Sequence, residues 1–145
     1  MNKKYMLLIG LIAAALLFSF WIMQTPQHSM PQAGKIEQGA SIVDVTLPAA
    51  LSKNAKTGET IYNVKCAACH GSNAAGKNGM GPPLIHKIYE PGHHGDFAFL
   101  SAARNGVQSH HWPFGNMPVI TGLTDEDIKS IVFYIREVQR ENGIN

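Results

Sequence analysis

The sequence predicts a small all-α domain of three to four short helices, and three observations lead there. Ile128, Ile131, Val132, Ile135 and Val138 fall at i, i+3, i+4, i+7 and i+10, a single apolar stripe of helical period. Thr57 to Cys66 forms a second helix candidate, with Ile61, Val64 and Ala68 spaced three and four apart. Between these lies a third candidate, Asp96 to Asn105, with Asp96 as its cap and Gly106 after it. The chain of 145 residues allows one such domain with flanking sequence.

The amino end is basic, with Lys3 and Lys4, and then runs without a charge from Met6 to Met23. As a helix at about 1.5 Å per residue this run spans about 27 Å, against about 30 Å of bilayer hydrocarbon. It fits either a cleaved secretory signal or an uncleaved anchor. Trp21-Ile22-Met23-Gln24-Thr25-Pro26 is bulky and holds no clear small-x-small cleavage site, so residues 1–23 are expected to be a transmembrane helix. Lys3 and Lys4 would keep the amino end in the cytoplasm. With no cysteine near the amino end, a lipid anchor is excluded.

Residues 24–50 are rich in Gln, Pro and Gly and are expected to form a flexible tether. Within it Ser41 to Leu47 alternates like a short strand, which would pack on the domain or meet a partner. The folded domain is then expected over 51–145.

The first domain helix runs into Cys66-Ala67-Ala68-Cys69-His70, and C-x-x-C-H is the attachment signature of c-type haem. Two thiols can add across the two vinyl groups of the porphyrin, and the adjacent imidazole is held where it can ligate iron. The competing reading is a redox dithiol of thioredoxin type. A four-cysteine zinc site is excluded because the chain has two cysteines. Gly71, Gly76, Gly79 and Gly81 then interrupt regular structure and let the backbone approach a flat cofactor closely.

From about Leu51 to Asn145 the chain resembles a class I (monohaem, mitochondrial-type) cytochrome c, in a membrane-anchored bacterial form. Four features follow the family's order: Gly58 and Tyr62 before the haem motif, Gly81-Pro82-Pro83-Leu84, Asn116-Met117-Pro118, and a terminal amphipathic helix containing Tyr134. The resemblance implies the small cytochrome c fold around one haem held through Cys66 and Cys69. It implies that the Pro82 carbonyl accepts a hydrogen bond from His70, that Leu84 packs on the haem, and that Met117 is the second axial ligand. An imidazole bonded through its other nitrogen is fixed in orientation and made more basic.

Read on the residues alone, the second ligand stays open among Met117, Met80, His86, His93, His94, His110 and His111. Met80 is too near His70 in the chain to reach the opposite porphyrin face easily, whereas Met117 lies far enough on to cross over. His110 and His111, with Trp112, are expected at the pocket rim, one of them or the Trp112 indole bonding a propionate. His93 and His94 are expected in an exposed turn. A copper or zinc site made from these pairs lacks a recognisable ligand spacing.

The terminal helix has its own start signal, since Thr124 precedes Asp125, Glu126 and Asp127. Arg136 and Arg140 lie toward its negative end, with Gly143 as a stop.

Iron held by His and Met has no open position, so the expected role is one-electron transfer and not catalysis. No small-molecule substrate is expected, and no nucleophile–base order or phosphate loop is present. The formal charge of +2 gives no reason to expect nucleic-acid binding. The expected setting is a bacterial inner membrane with the haem domain on its periplasmic face, shuttling electrons between redox partner proteins of a respiratory chain. Two alternatives are a fixed cytochrome subunit of an oxidase, dehydrogenase or sulfur-oxidising enzyme, and a haem-based ligand sensor.

Overall fold

The structure is a computed structural model that describes residues 36–145. The expected transmembrane helix 1–23 and the first part of the tether lie outside the described residues. Helix α1 spans Lys53–Lys65 and α2 spans Ala67–His70. Helix α3 spans Asp96–Asn105 and α4 spans Asp125–Glu141. Short 3-10 turns occupy Ser72–Ala74 and Lys87–Tyr89. Among the described residues there is no strand, only isolated bridges between Lys77 and Gly81 and between Val107 and Met117. The all-α expectation holds for this part of the chain. Among the described residues no helix is long and apolar enough to cross a membrane.

Helix α1 begins earlier than Thr57 because Ser52 caps it, its hydroxyl accepting from the Ala55 N–H at 3.3 Å. Its buried face is Ala55, Gly58 and Tyr62, and not the face through Val64, which is 75% exposed. Small residues win that face because α4 crosses there at backbone contact. Ile61 is partly buried at the edge of the core.

Helix α4 is started by a full capping box. The Thr124 hydroxyl accepts from the Asp127 N–H at 3.2 Å, and the Asp127 carboxylate accepts from the Thr124 N–H at 2.8 Å. Its stripe of Ile128, Ile131, Val132, Ile135 and Val138 is buried, as the period predicts. Ile131, Ile135 and Val138 form the core with Ala55, Tyr62 and Tyr134, and the two tyrosine rings meet there at 5.5 Å between centroids. The Tyr62 hydroxyl donates to the Gly71 carbonyl at 2.8 Å, tying α1 to the loop after the haem motif.

Helix α3 has the predicted range, but Gly95 is its cap. The Asp96 carboxylate is turned instead to Arg136 of α4, with Nε at 2.8 Å. A second ion pair, Arg104 with Asp125, joins the far end of α3 to the start of α4.

Over residues 36–50, the last part of the expected tether, the backbone is hydrogen-bonded to the domain. The Ile42 and Val43 N–H groups both donate to the Ala75 carbonyl at 3.1 Å, and Gly39 N–H to Asn78 at 2.9 Å. Thr46 exchanges two hydrogen bonds with the Asn142 side chain, at 2.9 and 2.8 Å. Val45 packs against the core. A backbone laid on a folded surface must pair its polar groups, and here loop and helix-end partners do so, so no strand forms over 41–47.

Candidate haem site

The site is built at the junction of α1 and α2. Cys66 sits at the kink between them, its N–H bonded to the Tyr62 carbonyl at 2.8 Å. One turn of helix follows, with His70 N–H donating to the Cys66 carbonyl at 2.9 Å. Cys69 is exposed and Cys66 partly buried. Burial first, and then the neighbouring Cys69, push the Cys66 thiol up to about 11.

His70 lies 3.0 Å through Nδ1 from the Pro82 carbonyl oxygen, the contact that the resemblance implies. As an N–H···O bond it makes Nδ1 the donor and leaves Nε2 as the free acceptor. Burial lowers the His70 pKa against the opposing pull of this bond, which favours the neutral ring that can ligate iron. The Pro82 segment can come this close because Gly81 passes directly over α2. A β-carbon on Gly81 would stand 2.6 Å from the Cys69 carbonyl oxygen.

Beside these residues opens a cavity of about 530 Å³. Cys66, His70, Pro82, Leu84 and Met117 all line it, with Phe99, Ile128 and Val132 among its apolar walls. Its size lies within the range of cofactor sites, about 300–1,000 Å³. One polar group is left to spare. The Trp112 indole Nε1 is buried at the wall without a well-formed hydrogen bond among the described residues. It approaches Tyr89, whose pKa burial raises and Trp112 lowers, but at a geometry too poor to satisfy the donor. Apolar walls with one orphaned donor fit a porphyrin that has flat apolar faces and carboxylate edges.

Met117 is held by its backbone. Its N–H donates to Val107 at 2.9 Å and its carbonyl accepts from Val107 at 3.0 Å, just beyond α3. Of the other ligand candidates, Met80 is 45% exposed and does not line the cavity. His86 is outside it too, and its Nδ1 accepts from the Ile88 N–H at 3.2 Å. His94, His110 and His111 do line it, at the rim where the latter two were expected. His93 is exposed, but His94 is not: it is half-buried, with Nδ1 at 2.6 Å from the Ile88 carbonyl oxygen. The four rings lie together, and desolvation followed by His110, His94 and His93 lowers the His111 pKa.

Sequence reasoning missed Arg136 and Gln139. Arg136, expected as a charge toward the helix end, is buried behind cavity-lining residues and bonded to their backbone. Its Nη1 donates to the Tyr89 carbonyl at 2.7 Å and to Gln139 Oε1 at 2.6 Å, and its Nη2 to the His94 carbonyl at 2.5 Å. Gln139 Nε2 donates to the Leu84 carbonyl at 2.8 Å. Together they hold the 84–96 segment in place. Their positions at 136 and 139, next to the buried stripe, were the only available signal.

A C-x-x-C-H motif whose first thiol, Cys66, lines a cofactor-sized cavity, with the His70 imidazole fixed beside it, defines a covalent haem protein. The cytochrome c family profile matches residues 55–139, more than half of the chain, and the chain belongs to that family. It therefore carries a covalent c-type haem, attached through its only two cysteines, Cys66 and Cys69, and its chemistry is haem-based electron transfer. A curated relative, the Cbb3-type cytochrome c oxidase subunit CcoP of Azospirillum brasilense, is 34% identical over 90 residues. The match takes in 58% of this chain but 28% of that protein, so the chain spans under a third of the relative's length.

Proposed function

We propose that this chain is a one-electron carrier whose haem iron is held by His70 and Met117, serving a membrane respiratory chain. The carrying observation is the His70–Pro82 contact at 3.0 Å beside a cavity that Met117 also lines. A fixed imidazole and a backbone-anchored thioether resist the ligand rearrangement that would slow electron exchange. Thioether ligation raises the reduction potential, and saturation of the iron leaves no position for a substrate, so the chain is not itself an enzyme. The apolar segment Met6–Met23 and the basic residues before it support anchoring in a bacterial inner membrane, with the haem domain on the periplasmic face.

The test is optical. Wild-type ferric protein should show the weak red absorption band of sulfur-ligated haem, and Met117→Ala should lose it and lower the potential. Loss in His110→Ala or His94→Ala instead would overturn the assignment. Carbon monoxide binding by the reduced wild-type protein at neutral pH would support the sensor reading.

A second reading, a fixed cytochrome subunit of an oxidase, is favoured by the likeness to an oxidase subunit. Gentle solubilisation separates the two. A carrier purifies alone, and a subunit arrives in stoichiometric company.

A further inference from the structure

The fold brings together two histidine pairs that the sequence keeps apart. His93 and His94 precede α3, and His110 and His111 follow it. One ligand nitrogen from each of His93, His94 and His111 lies within 4.8 Å of the others. The rings of His93 and His111 are 5.6 Å apart, and those of His94 and His111 are 5.5 Å apart. We propose that His93, His94 and His111 form a second metal site, separate from the haem iron, for a late first-row divalent ion such as Zn²⁺.

Three features carry this beyond ring proximity. First, the donor set is all imidazole, without carboxylate or thiolate, which suits zinc, copper and nickel and disfavours magnesium and calcium. Second, His94 is already oriented as a ligand. Its Nδ1 is engaged with the Ile88 carbonyl at 2.6 Å, so Nε2 is left as the metal-binding nitrogen. Its backbone is held as well, through the carbonyl bonded to Arg136. Third, His110 stands beside the group, its ring 4.2 Å from that of His111, with Nδ1 on the Gln108 carbonyl at 2.8 Å and Nε2 free. It lies outside the three-nitrogen group, which leaves the fourth position to water, as in three-imidazole zinc sites.

The ion would staple the chain entering α3 to the chain leaving it. His94 and His111 also line the haem cavity, so the staple would sit at the cavity's rim.

The experiment uses the full-length haem-loaded protein, dialysed against Zn²⁺ and then against metal-free buffer. One equivalent of zinc should be retained, with nitrogen scatterers at about 2.0–2.1 Å in X-ray absorption at the zinc edge. His93→Asn alters an exposed side chain outside the cavity, and it should weaken retention beyond the roughly 10–100-fold cost of losing an outer-shell partner. His111→Asn should do the same, and each variant's haem spectrum shows whether the domain is intact. No retained zinc in the wild type, or undiminished retention in an intact His93→Asn protein, overturns the site.

Discussion

Gly58 of α1 lies so close to Ser130 of α4 that a β-carbon built on it would stand 1.8 Å from the Ser130 carbonyl oxygen. The obstacle is backbone, so no side-chain rotation can relieve it. Helices α1 and α4 therefore meet at backbone contact, and this sets how Tyr62 and Tyr134 interlock below the crossing. Gly58→Ala should separate the helices and destabilise the haem-loaded domain at or above the upper end of the about 1–3 kcal/mol typical of overpacking. Denaturant midpoints measure this, and a wild-type midpoint would contradict the crossing.

Cys66→Ala and Cys69→Ala should each leave haem held by a single thioether, and the double variant should lose covalent haem under denaturing electrophoresis with haem staining. Wild-type retention in the double variant would refute attachment at these cysteines.

Arg136 and Asp96 pair at 2.8 Å, but the two partners are not equally committed. The Arg136 side chain is 8% exposed and that of Asp96 is 72% exposed. Arg136→Leu leaves the His94 carbonyl and Gln139 Oε1 without the Arg136 donor, at about 1–3 kcal/mol for each buried orphan, while the Tyr89 carbonyl keeps the Gln139 Nε2 donor at 3.1 Å. Asp96→Asn removes only an exposed partner and should cost under about 1 kcal/mol. Equal losses, read from thermal or denaturant unfolding, would mean that the ion pair and not the carbonyl bridging matters.

The Thr124 box links the start of α4 to pH. The Thr124 N–H, and then its hydroxyl, hold the Asp127 carboxyl below its usual value. Because the folded pKa is the lower one, this contribution is complete above the ordinary carboxylate range, near pH 4, and is lost as pH falls through the folded value. Asp127→Asn should therefore flatten the loss of stability below about pH 4. Thr124→Ala should cost about 1 kcal/mol at neutral pH. An unchanged acid limb in Asp127→Asn would remove the box from the account.

What the sequence by itself determined is what neighbours along the chain decide. The α4 stripe repeats within a few residues, the Thr124 cap acts three positions on, and the haem motif is five consecutive residues. The range of α3 was legible for the same reason. Only the tertiary structure decided the rest, because those outcomes depend on residues far apart in the chain. Ser130 selects the Gly58 face of α1 over the Val64 face, since a bare backbone admits a helix where a branched side chain cannot. Ala75 docks Ile42 and Val43, turning the last part of an expected tether into domain surface. Arg136 draws the Asp96 carboxylate to itself and Gly95 takes the cap position, a pairing between residues forty apart in the chain. His93 and His111 meet only because the segment after α3 turns back to where the chain entered the helix, a proximity that no local spacing rule records.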